Sequence, residues 1–316
     1  MMMIKKIRTV MVLFAVFTVL EMVSCKPQKN TNLVDSTSSG TIHISVDESF
    51  KPVIEEQIKM YESTYPNAKI IATYKPEADC IRDLLRDTGT RMIIVTRIIS
   101  SREEKYFLDS LAYIPGSNRV ATDAVAIVVN INSNDTLFTM ERLYSQLTGK
   151  INRDQTMVFD GLNATSTVRF VTDSVLKGAK FDTSVVRAAK SSKEVLDYVA
   201  NNNNAIGLIG INWIGNPEEP EQVAMLKKVK LAYVECNACD SAPYVKPMQA
   251  SILTKRYPLV RGLYYINKES YPGLGSGFVS FLKNERGQLI FRRAYLGPVM
   301  ELGIRDLKIN EKIPKK

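Results

Sequence analysis

From residue 41 to about residue 300, apolar positions follow two periods that take turns along the chain. Residues 41–46 set Ile42, Ile44 and Val46 against Thr41, His43 and Ser45, the two-residue alternation of a half-buried strand with His43 on a sheet face. Asp47-Glu48-Ser49 leads into a helix with Pro52 in its first turn and Glu55-Glu56 soon after, as the positive end of a helix dipole favours. Phe50, Val53 or Ile54, Ile58 and Tyr61 give that helix an apolar face at spacings of three and four. Residues 69–74 predict a second strand. Lys75-Pro76-Glu77 then turns into a helix that buries Ile81, Leu84 and Leu85. Residues 91–96 predict a third strand, and a helix from Ser101 carries Tyr106, Phe107 and Leu108. Strand and helix alternate three times, which implies a parallel sheet covered by helices.

The second half repeats the alternation without repeating the sequence. Residues 124–130 are a continuous apolar strand. A short helix follows over 139–147, with Thr139 as its cap and Gly149 at its stop. Residues 157–159 predict a strand, and the segment from Asp160 to Ser166 opens a helix containing Phe170 and Leu176. Ser192 caps a helix bearing Val195, Leu196 and Val199, with a polar exit over 201–204 and a strand over 205–211. A second α/β unit thus occupies roughly 131–250. After Tyr257-Pro258 come a strand over 259–266 and two helices, around 278–283 and 288–295.

Residues 1–25 read as an address. Lys5, Lys6 and Arg8 precede an apolar run of eleven residues, 10–20, which is short of the ~20 that span a bilayer and matches a secretory signal. The run ends Met22-Val23-Ser24-Cys25, similar to a bacterial lipobox, although Met22 stands where Leu is usual and Glu21 is an odd charge. The expectation is a signal peptide over 1–24, lipidation of Cys25 and a flexible polar tether over 25–40. The alternatives are a plain signal peptide with an incidental cysteine, or an uncleaved anchor. The chain is therefore expected to be exported, lipid-anchored to a bacterial membrane, with its body in the periplasm or at the cell surface.

Composition narrows the chemistry. Among 316 residues, Lys and Arg exceed Asp and Glu by 9; removing 1–24 leaves +7. The excess is spread over Lys227-Lys228, Arg292-Arg293 and a basic tail at 306–316, so it suits an anionic membrane surface or the steering of anions, not nucleic acid. A single histidine excludes two-histidine metal motifs and weighs against a histidine-dependent triad. Cys236-Asn-Ala-Cys239 has redox-motif spacing, but a loop follows it; a local disulfide or two free thiols fit better than catalysis or zinc. Cys80 reads as a packed helix residue. Gly273-Leu-Gly-Ser-Gly277 lacks the phosphate-loop lysine and reads as a turn. The pattern requires no cofactor or metal and favours binding over catalysis.

Seven short motifs, in order, carry a resemblance. Residues 41–45 with Glu48-Ser49-Phe50-Lys51-Pro52 form the first, and Met92 to Arg97 (MIIVTR) the second. Residues 123–130 (DAVAIVVN), 147–151 (LTGKI) and Asn163-Ala164-Thr165-Ser166 with Phe170 follow. Residues 206–210 (IGLIG) and Tyr257-Pro258…Tyr264, with Phe278…Phe281…Gly287-Gln288 after it, complete the series. Together they resemble the phosphate-binding proteins of ABC transporters. This resemblance implies a two-lobed α/β fold of the type II periplasmic-binding-protein kind, each lobe a sheet flanked by helices, with a cleft between the lobes. Residues 41–125 with 258–305 would form lobe 1, and 126–257 lobe 2. It also implies phosphate or a similar oxyanion as ligand and ABC permease subunits as partners. The runner-up is an envelope interaction or sensing lipoprotein that keeps the fold without phosphate affinity.

Carried onto this chain, the resemblance places Ser49, Thr165 and Ser166 as hydroxyl donors, Phe50 and Ala164 as backbone donors beside Asn163, and Arg97 as the charge partner, with Thr96 next to it. Hydroxyl-rich loops that open helices suit an oxyanion, because unpaired N–H groups and the helix dipole point at it. The departures lie in charge. Met92 stands where the family has an Asp, Asp160 stands near the family's Arg, and Asp47, Glu48 and Glu77 crowd the same loops. One carboxylate can accept the proton of monohydrogen phosphate; several would repel the anion. Arg169 or Lys75 would then supply the missing cation.

Overall fold

The computed structural model describes residues 35–151, 154–161, 165–236, 238–240 and 243–300. The expected signal segment, Cys25, Asn163, Ala164 and the tail from 301 lie outside the described residues. The described residues all fall within one compact unit.

Strand β1 (Gly40–Asp47) leads through a single turn at Glu48–Phe50 into α1 (Lys51–Thr64), then β2 (Ala68–Lys75), α2 (Glu77–Arg86), β3 (Thr90–Val95) and α3 (Ser101–Leu111). β1 pairs in parallel with both β2 and β3, as alternating strands and helices require. The long β4 (Gly116–Asn130) follows, then β5 (Leu137–Phe138), α4 (Met140–Leu147), β6 (Thr156–Phe159), α5 (Ser166–Ser174), β7 (Val186–Ala188), α6 (Ser192–Asn201) and β8 (Ala205–Gly210). A turn at Ile211–Trp213 precedes α7 (Pro220–Met225), β9 (Val229–Leu231), β10 (Tyr233–Glu235), β11 (Tyr244–Val245) and α8 (Gln249–Leu253). The chain returns as β12 (Val260–Asn267), α9 (Leu274–Lys283), α10 (Glu285–Arg293) and β13 (Gly297–Pro298).

The main sheet runs β2-β1-β3-β12-β4-β8-β6-β7, and β4 is the strand that both halves share. Up to Ala124 it pairs with β12; from Val125 it pairs with β8, and its end with β9. Residues 125–129 are buried apolar side chains, so this crossing runs through the core.

Two expectations need correction. β4 begins at Gly116, well before 124, because its first four residues are exposed and polar and carry no apolar signal; cross-strand pairing with β12 makes them a strand. Gly275 to Gly277 are not a turn but lie in the first turn of α9. The Glu269 carboxylate accepts the Gly275 and Ser276 amides at 2.8 and 2.7 Å, and Asp35 accepts that of Leu274 at 3.1 Å. These acceptors satisfy the open end of the helix, where glycine lets the backbone approach closely.

Candidate functional site

The C-terminal end of β1 delivers Asp47, Glu48 and Ser49 to the middle of the molecule. Asp47 Oδ1 accepts the Ser49 amide at 3.1 Å and tightens the turn. The Ser49 carbonyl is held from the other side by Asn212 Nδ2 at 2.8 Å and Trp213 Nε1 at 3.0 Å. Gly210 lets that loop come close: a Cβ there would lie 2.9 Å from Asn212 Nδ2 and 3.1 Å from the Ser49 carbonyl oxygen.

Ser49 Oγ meets a cluster of hydroxyls at the N-terminus of α5. It lies 3.3 Å from Ser166 Oγ and 3.4 Å from Thr167 Oγ1, and it donates to Asp160 Oδ2 at 3.1 Å. Thr167 Oγ1 donates to the same oxygen at 3.3 Å, and Ser192 Oγ, at the start of α6, at 3.4 Å. Arg261 enters from β12. Its Nη1 donates to Ser166 Oγ at 3.0 Å and Thr167 Oγ1 at 3.5 Å, its Nε donates to Asp123 at 2.8 Å, and its guanidinium covers the Phe50 ring at 5.1 Å. Arg261 Nη2, Asp160 Oδ1, Asp47 Oδ2, Asp123 Oδ1 and Asn212 Oδ1 are buried with no hydrogen-bond partner among the described residues.

Glu48 bridges to α6: it accepts from the Ser192 hydroxyl at 2.8 Å and from its amide at 3.2 Å, an anion at a helix N-terminus. Beside Glu48 opens a groove of about 700 Å³, whose walls include Lys51, Glu56, Tyr74, Trp213 and Glu219. Glu77 does not reach the hydroxyl cluster. It accepts the Thr96 amide and hydroxyl at 2.8 and 2.7 Å and pairs with Arg169 Nε at 2.6 Å, while Arg169 Nη2 donates to Thr96 Oγ1 at 2.7 Å.

The centre is rich in carboxylates and poor in cations, and burial dominates their titration. Desolvation pushes Asp47 up to about 7, with Glu77 adding to the rise and Arg261 opposing it. Glu48 is raised to about 7 by burial, against the Ser192 hydrogen bond. Burial also raises Asp160 and Asp123, with Thr165, Arg261 and Ser49 opposing it at Asp160 and Arg261 at Asp123. Glu77 is lowered: burial raises it, but Arg169 and Thr96 prevail.

Structure and sequence expectation differ at the cation. Arg97 turns away and forms a two-pronged pair with Glu103 at 2.7 and 2.8 Å, reinforced by the Ile98 carbonyl, because Glu103 in the first turn of α3 is its nearest carboxylate. Arg169 is taken by Glu77, and Lys75 by Asp83 at 2.5 Å. The buried cation is Arg261. Thr165 caps α5, its hydroxyl accepting the Val168 amide at 3.3 Å, and its side chain also favours the charged form of Asp160; Thr167 adds a further hydroxyl to the cluster. Phe50 enters through its ring. Ser192, Asn212, Trp213 and Asp123 were also not anticipated. The available signal was a lone Arg261 in an apolar return strand and a lone Asp123 opening an apolar run.

Cys236 and Cys239 form a disulfide with Cα atoms 5.7 Å apart, and Cys80 is a buried free thiol. Among the described residues no group of three or more His, Cys, Asp or Glu is placed to hold a metal ion, and no helix is long and apolar enough to cross a membrane.

A family model described as PBP superfamily domain matches residues 34–286. No functionally curated protein matches the chain in sequence. Among solved structures, a putative phosphate ABC transporter substrate-binding protein from Clostridium perfringens, with bound phosphate, is similar at TM-score 0.66 and 18% identity, over 83% of this chain and 100% of that one. An ABC-type phosphate transport receptor from Vibrio cholerae aligns at 0.59 and 17%, over 81% and 99%. A possible phosphate binding protein from Planctomyces limnophilus aligns at 0.53 and 18%, over 83% and 94%. At these identities the likeness establishes the shared fold.

Proposed function

The chain belongs to the PBP superfamily, and from that premise we propose that it is an exported solute-binding lipoprotein that captures phosphate or a similar oxyanion for an ABC-type importer. One observation carries this reading: Ser166 and Thr167, with Ser49 beside them, accept from Arg261, a buried guanidinium whose Nη2 has no partner among the described residues. A guanidinium with spare donors beside helix-opening hydroxyls suits a tetrahedral oxyanion, and three similar structures are named for phosphate binding or transport. Residues 41–125 with 258–305 and 126–257 would be the two lobes, hinged where β4 exchanges β12 for β8. Cys25 would carry the lipid. The ligand would be bound and released unchanged.

Titration calorimetry with phosphate and with sulfate tests this. Binding should be present in the wild type, and Ser166→Ala should weaken it roughly 10–150-fold, the worth of one buried hydrogen bond to a charged ligand. No heat and no thermal shift with either anion at millimolar concentration would reject it. The second reading, an envelope sensing or interaction lipoprotein without phosphate affinity, is favoured by the Asp160 carboxylate already seated among the same hydroxyls.

A further inference from the structure

Each serine or threonine hydroxyl has one proton to give. In this centre the donations form a directed chain. Arg261 donates to the Ser166 and Thr167 oxygens, while the protons of Thr167 and Ser49 are aimed at Asp160 Oδ2. Ser192 divides its proton between Glu48 at 2.8 Å and Asp160 at 3.4 Å, nearer to Glu48. Asp160 thus accepts from three separate segments: the loop after β1, the first turn of α5 and the first turn of α6. Ser49 is the donor to Asp160 that comes from the other side of the proposed cleft, which Arg261 to Ser166, Glu48 to Ser192 and Glu77 to Arg169 also bridge. An external anion would need these same protons. It would also meet Asp47 and Glu48 after β1 and Asp123 on β4, balanced by Arg261 on β12, while Glu77 at the start of α2 is paired with Arg169 on α5.

We infer that the Asp160 carboxylate is the resident anion of this centre: through Ser49 it holds the cleft closed in the absence of solute, and an incoming oxyanion is seated only by displacing it. Two further observations support the assignment. Asp160 Oδ1 is buried without a partner among the described residues, as is Arg261 Nη2, so the arrangement leaves one acceptor and one donor unused. Glu48 at α6 and Glu269 at α9 show the chain meeting two other helix N-termini with its own carboxylates. Burial disfavours the charged form of Asp160, and the hydrogen bonds from Thr165, Ser49 and Thr167 with the charge of Arg261 oppose it. The part of the inference that concerns solute rests on the proposed function; the part that concerns closure does not.

Spin labels at Ile71→Cys on β2 and Asn201→Cys at the end of α6, both exposed, would report the distance between the two halves of the sheet. In phosphate-free buffer the otherwise unaltered protein should give one narrow distance distribution. Asp160→Ala should give a longer, broader one, and Asp160→Asn, which keeps an acceptor oxygen and the side-chain shape, an intermediate one. Phosphate should restore the narrow distribution in Asp160→Ala and bind Asp160→Asn roughly ten-fold or more tightly than wild type. Asp160→Ala and Asp160→Asn distributions as narrow and short as wild type would overturn the inference. If both variants open but no protein binds phosphate or sulfate, the resident anion stands and the oxyanion-capture reading fails. Should Asp160→Ala not fold, the Asp160→Asn distribution decides alone.

Discussion

Arg261 and Asp123 face each other as register partners on β12 and β4, joined by a 2.8 Å bond from Nε, and both are sealed from solvent. The pair sits one residue before β4 exchanges partners, so it pins the shared strand where the two halves of the sheet meet. A buried ion pair gains little over apolar residues of equal volume, but breaking it strands a charge. Arg261→Met should therefore cost about 3–5 kcal/mol in urea unfolding. The double variant Arg261→Met with Asp123→Leu should recover much of that loss. A single variant as stable as the wild type would contradict the buried pair.

Arg97 and Arg261 make opposite predictions for anion binding. Arg97 is committed to Glu103, the residue whose carboxylate also accepts the Ser100 amide at 2.7 Å to cap α3. Arg97→Ala should leave phosphate affinity unchanged in calorimetry while lowering stability by about 1 kcal/mol or less. Arg261→Lys keeps the charge but loses the planar fork that spans Asp123, Ser166 and Thr167, so affinity should fall. Equal losses for both variants would return Arg97 to the site.

The stability of this protein should fall as pH rises through neutrality. Asp47, Glu48 and Glu56 are each raised to about 7, all by burial first, with Glu219 adding to Glu56. A carboxyl raised in the native state stays protonated there while the unfolded chain has ionised, so its contribution is full below about 4 and is lost as pH rises through about 7. Glu103 runs the other way: Arg97 holds it down at about 2, so its contribution is full above about 4.5 and is lost as pH falls from there through about 2. Thermal melts should give a higher Tm at pH 5 than at pH 8, and Glu56→Gln should flatten the slope. A Tm that rises from pH 5 to pH 8 would place the acidic centre in a more hydrated setting than its burial indicates.

Local pattern predicted the elements well because their periods come from burial on one face. It brought forward Ser49, Ser166 and Asp160, which the structure places in one cluster, because such residues at strand ends and helix starts are positioned by neighbours in sequence. It failed for Arg261, which acts through register with Asp123 and packing on Phe50; no spacing within one segment encodes either contact. Arg97 misled for the opposite reason, since a cation at the end of a strand is captured by the first carboxylate of the next helix. The start of β4 was invisible because its exposed polar residues owe their conformation to β12 alone.

Gly277 shows how tightly the start of the described chain is fastened to the body. It lies in the first turn of α9, and a Cβ there would fall 2.0 Å from the Thr37 carbonyl oxygen and 2.6 Å from Tyr61 Oη. Those atoms already belong to one contact, because Tyr61 donates its hydroxyl to the Thr37 carbonyl at 2.5 Å while its ring meets Phe278 and Phe281 edge-on. The helix backbone has no freedom to retreat, so the segment around Thr37 must move and the tyrosine must lose its acceptor. Gly277→Ala should destabilise the protein by roughly 1–3 kcal/mol, the usual cost of overpacking. It should also expose residues 35–39 to limited proteolysis. Gly116→Ala is the control: nothing lies within 4 Å of its Cβ, so it should be neutral or slightly stabilising through the unfolded chain. Equal unfolding midpoints for the two variants would show that the Thr37 segment is not held against α9.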